Sequence, residues 1–81
     1  MITGYRIRRP EETGEVLREI RQARGMTLQQ AGGRLAGVVS LTTIQSYEHG
    51  DRCPSVWTLV DILRAYGYEM EITIRRKEAR A

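Results

Sequence analysis

Between Thr27 and Leu63 the chain carries three short helical patterns with chemically marked ends, and this stretch limits the fold more than any other. Thr27-Leu28-Gln29-Gln30 has the form of a capping box, in which Thr27 accepts from a backbone amide in the first turn and Gln30 reaches back. The helix it opens runs to about Leu35, where Ala36-Gly37-Val38-Val39 breaks the pattern. Ser40 is placed to cap a second short helix, Leu41 to His49, closed by Gly50 in the left-handed conformation. After the loop Gly50-Asp51-Arg52-Cys53-Pro54, Ser55 caps a further helix that Gly67 stops. Val56, Leu59, Val60, Leu63 and Tyr66 share one face of it, flanked by Trp57 and Ile62, so the stripe is broad and expected to be buried on two sides.

The flanks are simpler. Tyr5-Arg6-Ile7-Arg8-Arg9 alternates apolar and basic residues, as a short strand or a flexible basic arm would. Pro10 stands where a helix can start, and Glu11, Glu12 and Glu15 suit the positive end of its dipole. Val16, Leu17, Ile20 and Ala23 form its apolar stripe, Arg18, Arg21 and Arg24 lie in later turns, and Gly25 ends it. Beyond Gly67 the period changes, because Tyr68, Met70, Ile72 and Ile74 alternate with Glu69, Glu71, Thr73 and Arg75 at strand spacing. The expected fold is all-α, with four to five helices and a short C-terminal β-strand. Its parts are an arm or strand over 1–9, a helical domain over 10–67, a dimerisation strand over 68–75 and a polar tail over 76–81.

Composition narrows the function. With 81 residues the chain is one domain near the lower limit for building its own core, and dimerisation would make good the shortfall. The net charge of +3 suits an anionic partner. Cys53 is the sole cysteine, so an internal disulfide and a cysteine-based zinc site are excluded, and a reduced, cytoplasmic setting is expected. No apolar run approaches the roughly 20 residues needed to span a bilayer. Met1-Ile2-Thr3-Gly4 lacks the apolar core of a signal peptide. Catalysis is not expected: His49 is the only histidine and ends a helix, and no serine or cysteine has an evident base beside it. The glycines at 32, 33 and 37 are not a phosphate loop, since no strand precedes them and no Gly-Lys-Ser/Thr follows. Neither a cofactor nor a metal is expected.

Two short helices joined by a glycine-bearing turn, in a small basic chain, give the outline of a helix-turn-helix, and double-stranded DNA is the first partner to consider. The second helix of such a unit lies in the major groove. On Leu41–His49, Ile44 and Tyr47 would face the core, leaving Leu41, Thr42, Thr43, Gln45 and Ser46 on or near the outward surface. Gln45 can pair with adenine, the hydroxyls can bond bases or phosphates, and Leu41 can touch a thymine methyl; the alternative is a polar surface facing water. Phosphate contacts are expected from Arg6, Arg8 and Arg9 of the arm. Gly32 costs roughly 1 kcal/mol of helix propensity, so it should have a packing reason, namely a close crossing of the second helix.

Leu17-Arg18-Glu19-Ile20-Arg21, Gly25-Met26-Thr27-Leu28, Ser40-Leu41-Thr42-Thr43-Ile44, Tyr47-Glu48-His49-Gly50, Pro54-Ser55 and Leu59 together resemble the XRE-type (Cro/C1) helix-turn-helix family, over about Pro10 to Gly67. Ser46 to Arg52, with Tyr66-Gly67, is most similar to the DNA-binding domain of BldD-like regulators, as is the lengthened turn at Leu35 to Val39. The C-terminal alternation resembles the tail of HipB-like antitoxin repressors, in which two such strands pair across a dimer. The resemblance implies a lambda-repressor-like fold and a buried ion pair between Arg21 and Glu48. Two departures stand out: relatives often carry glutamine where this chain has Leu28 and Leu41, so Gln29 is expected to stand in at the first position, with Thr27, Gln30, Ser40 and Arg52 as further phosphate contacts that the resemblance implies, and base preference does not carry over.

The function expected is therefore a sequence-specific DNA-binding transcriptional regulator, a homodimeric repressor reading an inverted repeat. Tyr68, Met70, Ile72 and Ile74 would line the dimer interface; the alternative is pairing of that strand with the N-terminal segment inside one monomer. The alternatives for function are an antitoxin that represses its own operon and binds a toxin protein, and an interaction module that no longer reads DNA.

Overall fold

The computed structural model describes residues 4–78; residues 1–3 of the expected arm and 79–81 of the expected tail lie outside the described residues. Four helices follow one another: α1 (Pro10–Ala23), α2 (Leu28–Arg34), α3 (Leu41–His49) and α4 (Val56–Ala65). Each start has a local chemical cause. Pro10 occupies the first turn of α1, and the Glu12 carboxylate accepts from the backbone amides of Arg8 at 2.7 Å and Arg9 at 2.9 Å. Those two amides, more than the neighbouring guanidinium charges, hold the Glu12 carboxyl below its usual range. At α2 the capping box forms as read: Thr27 Oγ1 accepts from the Gln30 amide at 3.1 Å and Gln30 Oε1 from the Thr27 amide at 2.9 Å. Ser40 and Ser55 accept from the amides of Thr43 and Thr58, each at 3.2 Å.

The core is built from Val16, Leu17 and Ile20 of α1, Ala31 and Leu35, Ile44 and Tyr47 of α3, and Leu59, Ile62, Leu63 and Tyr66. Helix α3 packs on both α1 and α2. Helices α1 and α3 come close at Gly14, where an added Cβ would run into the Tyr47 carbonyl oxygen and lie 3.3 Å from the Glu48 Cα. Only a residue without Cβ lets the α1 backbone meet the α3 backbone there. At Gly32 α3 does come close, through Leu41, but the approach does not require glycine. A Cβ at that position would rest 3.5 Å from the Leu41 Cβ, an ordinary contact.

Several expectations are corrected. Ala23 is exposed and leaves the α1 stripe, whereas Thr13 and Arg21 are buried. The buried face of α4 runs through Leu59, Ile62, Leu63 and Tyr66; Val56 and Trp57, at its first turn, are 47% and 75% exposed. The expected strand over 68–75 is not seen, and among the described residues there is no strand at all, the Tyr5–Arg9 segment included. Alternation confers the capacity to pair, but a strand exists only when a second edge completes its ladder. Here Tyr68 and Met70 are half-buried against the core, while Ile72 and Ile74 rise to 58% and 91% exposed.

Candidate nucleic-acid interface

Helix α3 is held by packing, by charge and by its ends. Ile44 and Tyr47 are buried as the spacing requires. Arg21 of α1 grips Glu48 of α3 through two parallel bonds, Nε to Oε2 at 2.7 Å and Nη2 to Oε1 at 2.9 Å. Its Nη1 donates to the Met26 carbonyl at 2.8 Å, tying the same guanidinium to the α1–α2 turn. The two side chains keep only 10% and 6% of their surface, and the Glu48 hydrogen bond raises the Arg21 pKa. Tyr66 lies beside the pair; burial first, then the Glu48 charge, pushes its hydroxyl up to about 12.

The C-terminal end is fixed by Gly50, whose φ of 82° is the left-handed region, and by the Asp51 and Arg52 amides, which return to the Ser46 carbonyl at 3.0 and 3.4 Å. This brings exposed Arg52 back against α3. At the N-terminal end Ser40 Oγ and Thr43 Oγ1 share a hydrogen bond of 2.9 Å, so both hydroxyls also serve the cap. Thr42 is fully outward, and Gln45 and Ser46 are half-buried on the flanks. Leu41 is half-buried and rests against Gly32, joining α3 to α2. In α2, Thr27 and Gln30 are occupied with each other in the capping box, Leu28 packs on the core, and Gln29 is exposed.

The arm lies elsewhere. Tyr5 meets Tyr68 edge-on with ring centroids 6.1 Å apart. Tyr5 and Ile7 enter a groove of about 480 Å³ between α1, α4 and the tail, and no residue of α2 or α3 lines it. Arg6, Arg8 and Arg9 are exposed, but their segment is anchored to the tail and to the start of α1 rather than beside the recognition helix. The structure thus gathers Thr42, Thr43, Gln45 and Ser46 with Ser40 and Arg52 on one helix and its two ends, while the three arm arginines precede the first turn of α1. Two positioning residues escaped the sequence reading. Gly14 had a signal, a helix-disfavouring residue inside a strongly periodic helix. Arg34, whose Nη1 donates to the Ala65 carbonyl at 3.3 Å and links α2 to α4, had none.

Among the described residues no His, Cys, Asp and Glu side chains gather in a group able to hold a metal, and no helix is long and apolar enough to cross a membrane. Comparison with curated proteins and with solved structures finds no match. The profile of a helix-turn-helix family matches residues 17–72, which contain α2, α3, the turn between them, α4 and the second half of α1. With more than two thirds of its length matched and its second motif helix, α3, packed on α1 and α2, the chain belongs to the Cro/C1-type helix-turn-helix family.

Proposed function

We propose that this DNA-binding regulator is a homodimeric repressor that reads an inverted repeat through the major groove, and that it carries out no catalysis. The observation that supports the reading best is the mounting of α3. Ile44, Tyr47 and the Arg21–Glu48 pair fix one side of the helix, and Thr42, Gln45 and Ser46 remain along the other. In this reading Thr42, Thr43, Gln45 and Ser46 read bases, while Ser40, Arg52 and Gln29 meet phosphates. Leu41 offers its methyls to thymine from the half of its surface that Gly32 leaves free. Two copies join through Tyr68–Arg75, which becomes a strand when a second copy supplies the missing edge. That arrangement sets the two recognition helices about 34–36 Å apart, one turn of DNA.

Mobility shifts on the promoter that drives the chain's own gene, with specific and non-specific competitor, test this. A retarded complex that survives non-specific competitor is expected. Replacing Gln45 with alanine should cost about 1–3 kcal/mol on that site and relax discrimination at one base pair. An unchanged ratio of specific to non-specific affinity would remove Gln45 from base readout, and equal affinity for every sequence would overturn the regulator reading.

A further inference from the structure

The tail carries a charge order that bears on how a second copy can join it. Its odd positions read Glu69, Glu71, Thr73, Arg75 and Lys77: two acids, a neutral residue, two bases. Its even positions from Tyr68 to Ile74 are apolar. The odd-numbered face is therefore antisymmetric in charge about Thr73, while on the even-numbered face Arg76 mirrors Met70. We propose that two copies of the chain pair tail to tail as antiparallel strands in the register centred on Thr73. Glu71 then faces Arg75 of the partner subunit, Glu69 faces Lys77 of the partner subunit, and Ile72 faces Ile74 of the partner subunit. This rests on the homodimer proposed above and specifies its seal.

The competing registers are worse for stated reasons. A centre on Glu71 places that carboxylate opposite its own copy, and like charges directly opposite destabilise a ladder. A centre on Ile72 leaves Glu71 facing a threonine and keeps only the Glu69–Arg75 match. A centre between residues sets the apolar face of one tail against the charged face of the other. Only the Thr73 register matches both acids with bases and keeps the isoleucines together. The structure leaves that region free to pair. Exposure climbs along the apolar series to 58% at Ile72 and 91% at Ile74, and no ladder engages either edge. Ile72 and Val56 line the same groove, so the isoleucine of a second copy arriving beside Ile72 continues an apolar surface that α4 already begins.

Charge exchange tests the register. The four substituted tail residues, Glu71, Ile72, Thr73 and Arg75, are all exposed, so the helical fold, followed by circular dichroism, should persist in each variant. Glu71→Arg alone, or Arg75→Glu alone, turns two attractions into two repulsions in the homodimer and should raise its dissociation constant about tenfold or more. An equimolar mixture of the two variants restores both attractions, and sedimentation should recover a heterodimer near wild-type affinity. In a Cys53→Ser background, Thr73→Cys should cross-link on mild oxidation, since directly opposed Cβ atoms lie about 4.5–5.5 Å apart. Ile72→Cys should cross-link far less. A wild-type chain that stays monomeric at high concentration overturns the homodimer and this register together. A wild-type dimer indifferent to both charge exchanges, or one that cross-links better through Ile72→Cys, overturns the register alone.

Discussion

Replacing Gly14 with alanine is the sharpest test of how α3 is seated. The added Cβ would collide with the Tyr47 carbonyl oxygen, lie 3.1 Å from its carbon and 3.3 Å from the Glu48 Cα. These are backbone atoms, so no side chain can swing aside; α1 and α3 must part, and the Arg21–Glu48 bonds must lengthen or re-form. Overpacking costs typically 1–3 kcal/mol, and a backbone obstacle places this site toward the upper end, at about 3 kcal/mol. Alanine returns about 1 kcal/mol of helix propensity relative to glycine. The clash wins, leaving a net loss of about 2 kcal/mol. With a urea slope of about 1 kcal/mol/M for a small domain, the midpoint should fall by about 2 M, followed by far-ultraviolet circular dichroism. Gly32→Ala is the internal control, because its Cβ meets Leu41 at an ordinary 3.5 Å. It should raise the midpoint by up to about 1 M through propensity alone. If Gly14→Ala is as stable as the parent, or if the two variants shift together, close approach at Gly14 is not what seats the helix.

Removing one partner of the ion pair, by Arg21→Ala or Glu48→Ala, should cost about 3–5 kcal/mol by stranding the other charge, measurable as a lower urea midpoint. Tyr66 adds a limit at alkaline pH. Its raised pKa of about 12 means the neutral hydroxyl favours the folded state below pH 10, and that contribution is lost as pH rises from 10 to about 12. Tyr66→Phe should flatten the alkaline fall in stability over that window; an unchanged profile would count against it. Arg52→Ala should weaken binding on all sequences and lower the salt slope by about one unit. A changed sequence preference with the slope intact would make Arg52 a base reader instead.

What could be read in the sequence was local. Thr27 with Gln30, and Ser40 before Leu41, announce helix starts because their side chains satisfy amides within one turn, and the limits of α3 followed directly. Ile44 and Tyr47 followed from spacing. Arg21–Glu48 came through family resemblance, since nothing in the neighbourhood of either residue names the other. Gly14 was not legible as a contact point, because its reason is a carbonyl on a helix much further along the chain. Periodicity identified the α4 stripe but not where the core ends beneath it, so Val56 and Trp57 were assigned burial that the fold does not give them. For Tyr68 to Arg75, alternation recorded a capacity to pair and was silent about the partner.

The exposure of Trp57 has a practical consequence. It is the only tryptophan, and it keeps 75% of its surface in contact with water while the fold is intact. Its emission in the native chain should already sit near that of an indole in aqueous buffer. Unfolding will move that signal little, and a melt followed by tryptophan fluorescence will understate the transition seen by circular dichroism. The same placement makes the indole a sensitive gauge of docking. A blue shift on adding DNA, or on raising the protein concentration, would come from a surface newly covering the first turn of α4, with almost no background from folding.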